Sequence, residues 1–259
     1  MMAGSVGSIT TNIIKDGLVF NMDAANRAST KPISTITTSF NTIDTSISGS
    51  FSDNGIFDSS TISPSYAFGG TDDVITIYDG PTSSTPSIFK ISATDSFTYS
   101  FWVKTDSQTN NRYFFTSRGD ASDMSNRAYN TLYLNWSSGN NAHILYIYFR
   151  DDNNNAVGTN STLATSGHVA DNTWTNVVGL ADRSTNLATL YVNGVQGPTV
   201  SISSVGAMEK ITDVSLGNDP FGSGRYFYIG NMGSAQIYNR ALSESEILHN
   251  YNALKGRFE

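Results

Sequence analysis

Carboxylates are the first residues to test for chemistry. The glutamates are Glu209, Glu244, Glu246 and Glu259. Glu244 and Glu246 stand in "SESE", where they suit the first turn of a helix, and Glu259 closes the sequence. Retaining glycoside hydrolysis needs two carboxyl groups roughly 5 Å apart, one acid and one nucleophile. No candidate strand carries two aspartates on one face. A hydrolase built on diverged Asp pairs is therefore only a third reading. The histidines, His143, His168 and His249, lie far apart without H-x-H or H-E-x-x-H spacing. His143 opens a strand and His249 falls on the polar side of a helix, so both are expected in solvated structural roles. There is no Gly-x-Ser-x-Gly elbow, and Gly222-Ser223-Gly224 reads as a flexible loop. With no cysteine there is no thiol nucleophile or disulfide. The residues point away from an enzyme.

Binding chemistry has more support. Asp151-Asp152-Asn153-Asn154-Asn155 begins like D-x-[DN]-x-[DN], which makes Asp151, Asn153 and Asn155 candidate oxygen ligands for Ca2+. An EF-hand loop then needs Gly and Glu where Ala156 and Thr162 stand. The competing reading is a polar hairpin turn. Sugars are held by aromatic rings and fixed hydrogen bonds, which loops mixing aromatics with Asp, Asn and Arg can supply. Two loops qualify. SRGDASDMSNR (117–127) carries Arg118, Asp120 and Asp123, and GNDPFGSGRY (217–226) carries Asn218, Asp219, Phe221 and Arg225. The competing reading is ordinary polar surface loop.

The elements that must position these residues are mostly strands. The 259 residues are 38% apolar and 14% charged, a balance that suits turn-rich β-structure better than solvated helices. Alternating segments occur at 17–23, 73–78, 97–104, 112–117, 131–136, 143–150, 174–181, 187–192, 211–217, 226–231 and 234–239. In FTYSFWVK, Phe97, Tyr99, Phe101 and Val103 share the inward face, and Trp102 and Trp174 are expected in the core. Asn193-Gly194 predicts a type I′ hairpin. Asp182 to Asn186 should turn one strand back on the next. Residues 27–66 are the least legible, an irregular insertion or edge of short strands and loops. Many short strands with no βα alternation predict an all-β, two-sheet sandwich or barrel, in one large domain or two small ones.

One helix is specified at both ends. Ser243 and Glu246 form a capping box, with Leu242 and Ile247 placed for a hydrophobic staple. Ile247, Leu248, Tyr251 and Leu254 make an apolar stripe, and Gly256 is the expected terminator. The predicted span is 244–255.

Net charge is -7 with 15 Lys plus Arg and no basic run, which argues against nucleic-acid binding. No apolar run is long enough for membrane insertion. The N-terminus lacks the charged and apolar regions of a signal peptide, so folding in a cytoplasm is expected.

The chain resembles the laminin-G-like, concanavalin-A-like lectin/glucanase superfamily, and more narrowly the LamG-type domains of tailed-phage virion proteins. The segments that carry the resemblance are "GLVFNMDAANRAS", "FGGTDDVITI", "FTYSFWVK", "WTNVVGLADRSTNLATLYVNGV", "YFYIGNMGSAQIYNRALSESEI" and "NYNALKGRF". They run from Gly17 to Phe258, with an arm at 1–16 and a single LamG-like domain at 17–259. The resemblance implies an antiparallel jelly-roll sandwich whose last strand leads into a short helix. It also implies a virion structural protein, on head or tail, assembled in the host cytoplasm. Its expected partners are other virion proteins, copies of itself and host or environmental glycans. A purely architectural role is the alternative. The glucanase relatives' E-x-D-x-x-E pattern is missing. Asp72 and Asp73 match a family position that often reads "DGTDDY", which makes Asp72 a further candidate metal ligand, but Gly69 replaces its leading Asp. Gly233-Ser234-Ala235 replaces acidic residues before "IYNRA".

Overall fold

The computed structural model describes residues 13–30, 36–52, 57–58, 63–106, 111–119, 128–137, 142–160, 168–218 and 226–258. Its strands are β1 (Leu18–Asp23), β2 (Thr38–Phe40), β3 (Ser48–Phe51), β4 (Phe57–Asp58), β5 (Ser65–Gly69), β6 (Ile75–Asp79), β7 (Phe97–Thr105), β8 (Arg112–Arg118) and β9 (Tyr129–Ser137). They continue as β10 (Ala142–Arg150), β11 (Ala156–Asn160), β12 (His168–Val169), β13 (Thr175–Asp182), β14 (Leu187–Val192), β15 (Val195–Ser201), β16 (Asp213–Leu216) and β17 (Ile229–Tyr238), and helix α1 spans Glu244–Lys255.

All ladders between these strands are antiparallel and form two sheets. The eight-stranded sheet runs β15-β14-β13-β7-β17-β5-β4, with β1 also on β17. The nine-stranded sheet runs β11-β10-β9-β8-β16-β6-β3-β2, with β12 on β10. Between them lies one large apolar cluster that includes Phe101 and Val103 of β7, Phe114 and Phe115 of β8, Leu132 and Leu134 of β9, and Leu145 and Ile147 of β10. Phe101 packs edge-on to Phe114, ring centroids 5.3 Å apart. The illegible stretch 27–66 supplies β2 to β4 and the start of β5, at the β2 and β4 ends of the two sheets.

Local signals explain the turns. Asn193 and Gly194 have φ of 51° and 76°, the two left-handed residues of a type I′ hairpin. Asp182 Oδ1 accepts from the Ser184 amide at 2.9 Å and so tightens the β13–β14 turn. The segments 226–231 and 234–239 do not form two strands. They are one strand, β17, with a bulge between Met232 and Ser234. Gly233 fits there because an added Cβ would lie 2.3 Å from Cε1 of Phe258.

The eight-stranded sheet is covered on its outer face by α1. Ser243 Oγ accepts from the Glu246 amide at 3.3 Å, and the Glu246 carboxylate accepts from the Ser243 amide at 2.8 Å. Arg240 donates to both Glu246 oxygens at 3.0 and 2.7 Å. Ile247 and Leu254 join Trp102, Val178, Leu180, Tyr191 and Phe258 in a second buried cluster. The Trp102 ring is stacked by Phe258 at 4.5 Å and by Tyr251 at 5.7 Å. Trp102 is therefore buried between sheet and helix rather than between sheets, and Trp174 is half-buried against Phe258. The predicted stripe needs correction, because Leu248 is 45% exposed while Asn250 is buried. Asn250 accepts from the Ile14 amide at 2.8 Å and donates to the Tyr238 hydroxyl at 3.0 Å. The helix spans Glu244–Lys255 and Gly256 stands at its C-cap as expected, but with φ of −64° and ψ of −6°, right-handed values rather than the left-handed ones a glycine stop usually takes. The helix ends because Arg257 and Phe258 turn back, donating to the Leu254 and Lys255 carbonyls, and because Arg257 is tied to Asp23 at 2.7 and 2.8 Å. Among the described residues no helix is long and apolar enough to cross a membrane.

Candidate functional site

With α1 on one sheet, the outer face of the other is where the strands place polar and aromatic side chains. Along β9, Leu132 and Leu134 face the core, so Tyr129, Thr131 and Tyr133 alternate outward. Along β10, Leu145, Ile147 and Phe149 face in, and Tyr146, Tyr148 and Arg150 face out. In β8 a bulge between Tyr113 and Phe115 turns both Phe114 and Phe115 inward.

Register then draws these residues into cross-strand rows. Tyr113 pairs with Tyr133, and Tyr133 with Tyr146. Their rings stack at 4.6 Å with an interplanar angle of 8°, and at 5.1 Å with an angle of 23°. Tyr226 closes the row, tilted against Tyr113 at 5.3 Å. Thr76, Ser215, Thr116 and Thr131 form a neighbouring row of small hydroxyl residues. A third row runs Asp79, Asp213, Arg118, Tyr129, Arg150. Its Arg150 donates to the Tyr148 hydroxyl at 3.0 Å.

The rings of the tyrosine row are half-buried. Burial, then the neighbouring phenols of Tyr113, Tyr146 and Tyr148, push the Tyr133 hydroxyl well above the usual phenol range. It stays an O–H group, able both to donate and to accept. Among the described residues, the Tyr133, Tyr146 and Tyr226 hydroxyls make no hydrogen bond. In the next row the Thr116 hydroxyl is buried without a partner.

The residues singled out in the sequence are not all brought together. Arg118 ends β8 and is 5% exposed; Asn218 follows β16 and is 8% exposed, with an unpartnered Oδ1. Register pairs Arg118 with Asp213 and Phe115 with Leu216. Arg118 and Asn218 thus lie at opposite ends of this strand pair, roughly 16 Å apart at about 3.3 Å per residue. The described ends of the two candidate segments, Arg118 and Asn218, therefore stand apart. Asp120, Asp123, Asp219, Phe221 and Arg225 lie outside the described residues.

Asp151, Asn153 and Asn155 do come together, around N–H donors. Asp151 Oδ1 accepts from the Asn153 and Asn155 amides, both at 2.8 Å. Its Oδ2 accepts from Asn155 Nδ2 at 2.8 Å and from the Gly206 amide at 2.7 Å. Burial pushes this carboxyl up, yet the donors outweigh it and hold the group below its ordinary range. The carboxylate organises the β10–β11 turn and staples it to the loop before β16. Asp72 stands elsewhere, exposed in the β5–β6 turn, accepting from Thr71 Oγ1 at 2.8 Å. Among the described residues no group of three or more His, Asp or Glu side chains could hold a metal ion. His143 is not solvated as expected. It is fully buried, its Nδ1 2.9 Å from Asp171 Oδ1.

A cavity of about 270 Å³ opens elsewhere, at the sandwich rim, between apolar walls of Val19, Ile88, Phe97 and Ile237 with Lys90 and Asp95 beside them. Asp79 and Asp213 face each other across β6 and β16, with Arg118 on the far side of Asp213.

Two antiparallel sheets closed over one core, with a terminal helix on one outer face, define a lectin-like jelly-roll sandwich. Residues 69–248 match the family described as the Concanavalin A-like lectin/glucanases superfamily, in its laminin-G branch, and the chain belongs to that superfamily. No curated protein matches by sequence. Among solved structures, the binding domain of Paraclostridial Mosquitocidal Protein 1 is similar over 92% of this chain and 52% of its own, with a TM-score of 0.65 and 16% identity. The botulinum neurotoxin serotype G binding domain is similar over 90% and 50%, with a TM-score of 0.60 and 14% identity. The CBM40 of a Ruminococcus gnavus sialidase, solved bound to α2,3-sialyllactose, is similar over 71% and 94%, with a TM-score of 0.53 and 18% identity. The chain spans about half the length of the two toxin domains. At these identities the likeness is one of fold.

Proposed function

We propose that this chain is a non-catalytic glycan-binding module whose ligand lies on the tyrosine-lined outer face of the nine-stranded sheet. The observation that carries the reading is the stacked row Tyr113, Tyr133, Tyr146, closed by Tyr226, on a face that α1 does not cover, with the Tyr133, Tyr146 and Tyr226 hydroxyls unspent among the described residues. A carbohydrate-binding module among the similar folds supports it. Arg118 at one end of the β8–β16 pair and Asn218 at the other are proposed to extend the site, and Asp120, Asp123, Asp219, Phe221 and Arg225 remain candidates from the sequence alone. The proposed setting is a tailed-phage particle, as a head decoration or tail component. Its support is the resemblance of the closing "IYNRALSESEI" segment to LamG domains of such virions. A glycan array read with wild type and with Tyr133→Ala/Tyr146→Ala tests the binding. Sugar binding lost in the double variant, with thermal unfolding unchanged, supports it. An array without any ligand, together with particles in which this face is buried against neighbouring subunits, would favour an architectural role. Release of reducing sugar that Asp213→Asn abolishes would replace binding by hydrolysis.

A further inference from the structure

The rim cavity is lined from β1, β7, β17 and the segment 87–96, away from the tyrosine row. Its floor is apolar. Ile91, Phe97, Tyr99 and Ile237 line it and are all buried. Tyr99 offers its ring rather than its hydroxyl, which is taken by Asn130 Nδ2. The Phe97 and Tyr99 rings touch, with centroids 4.9 Å apart. The wall made by residues 87–91 is fixed in advance. A 3-10 turn, Ser87–Phe89, buries Phe89 edge-on against Phe20 at 6.0 Å. Ile91 then exchanges backbone hydrogen bonds with Met208 at 3.1 and 2.7 Å.

The mouth carries one charge of each sign. Lys90 is half-buried, Asp95 is exposed, and both border the cavity. Among the described residues the Lys90 ammonium makes no hydrogen bond or ion pair. Asp95 spends Oδ2 on the Ser92 amide at 2.8 Å and keeps Oδ1 open. Arg183, near enough to feel the Asp95 charge, donates instead to the Ile202 and Gly206 carbonyls at 3.0 and 3.3 Å. Size narrows the occupant further. An apolar cavity of about 150 Å³ holds one benzene. The rim cavity, at about 270 Å³, has room for a ring of that size with a short polar tail.

We propose that the rim cavity binds a free α-amino acid with a large apolar side chain, phenylalanine or leucine in kind. The side chain enters between Phe97, Tyr99 and Ile237, the carboxylate meets Lys90, and the ammonium meets Asp95. Both charges of the zwitterion are used, so a residue inside a peptide chain, which has neither, is a poor ligand.

The test is calorimetry of the full chain at pH 6 with phenylalanine, leucine, glycine, N-acetylphenylalanine and phenylalaninamide, with NMR of labelled tyrosine rings to place the ligand. Phenylalanine should bind with a Kd of roughly 0.1–1 mM, fitting for so small a ligand, and shift the Tyr99 ring. Leucine should bind more weakly and glycine not at all. Masking either charge should weaken binding by roughly three- to tenfold, because the mouth is partly open to water. Lys90→Met should erase the difference between phenylalanine and its amide while keeping the preference over the N-acetyl form. Asp95→Asn should do the reverse. Equal affinity for masked and unmasked ligands in the wild type would overturn the proposal, as would discrimination that survives unchanged in both variants. Binding that leaves Tyr99 unmoved, or no binding of phenylalanine at about 10 mM, ten times the weakest expected Kd, would overturn it too.

Discussion

Phe258 and Gly233 are coupled by steric fit, and a double-mutant cycle reads the coupling directly. Phe258 is 7% exposed, with its ring 4.5 Å from that of Trp102 and 4.7 Å from that of Trp174. Truncating it to alanine should cost about 3 kcal/mol, the lower end for a buried phenylalanine. At Gly233, a Cβ would sit 2.3 Å from Cε1 and 2.5 Å from Cζ of that ring. The ring is held by Trp102, Trp174 and the Arg257 guanidinium at 4.7 Å, so it cannot retreat without losing contacts. Gly233→Ala should therefore cost about 2 kcal/mol by overpacking. Once Phe258 is alanine the new methyl has room, so the double variant should lose about 3 kcal/mol rather than about 5, a coupling of about 2 kcal/mol. Urea unfolding of the four proteins at pH 7 measures this. Additive losses, within about 0.5 kcal/mol, would refute the claim that the bulge in β17 exists to seat the C-terminal ring.

Other outcomes follow from the same contacts. Ser243→Ala removes the cap of α1 and should cost about 1 kcal/mol, lowering the melting temperature by about 2–4 °C in a scanning calorimeter. Glu246 is held at about 2, chiefly by Arg240; its contribution is present above about pH 4.5 and should fade as pH drops through 2, seen as loss of helical circular dichroism. Burial raises the phenols of Tyr66, Tyr99 and Tyr228, and that of Tyr238 to about 12. Because these values lie above the unfolded one, their stabilisation is complete below about pH 10. It should then fall by about 1.4 kcal/mol per group per pH unit as pH rises through 12, measurable by urea midpoints across that range. Asp151→Ala frees four N–H donors and should destabilise by about 2 kcal/mol, whereas a chelator should leave the wild-type melting temperature unmoved.

What could be read in advance was local. Asn193-Gly194, the Asp182 turn and the Ser243–Glu246 box act within a few residues, and each stands where the sequence places it. Gly233 reads locally as a break in a strand, and only the distant Phe258 reveals it as a bulge. Asn250 looks polar and solvent-facing until Ile14 and Tyr238 arrive from far along the chain. His143 looked solvated because its partner, Asp171, comes from beyond β12. The site was half visible. Period-two alternation in TLYLNW and HILYIYFR shows that Tyr133 and Tyr146 lie opposite the leucines, yet neither segment shows that they are neighbours. That depends on the β9–β10 register and on the β8 bulge that brings Tyr113 opposite Tyr133. For the same reason the loops bearing Arg118 and Asn218 could be nominated but not placed. Antiparallel pairing of β8 with β16 puts Arg118 and Asn218 themselves at opposite ends of that strand pair.

The most direct test of the central claim is a titration followed by NMR, using protein labelled only at the tyrosine rings, with the oligosaccharides that a glycan array identifies as ligands. Shifts confined to Tyr226, Tyr113, Tyr133 and Tyr146, with the core rings of Tyr66, Tyr99 and Tyr228 unmoved, are the result predicted. Shifts at Tyr99, which lines the rim cavity, with the tyrosine row unmoved would place the ligand elsewhere and contradict the account.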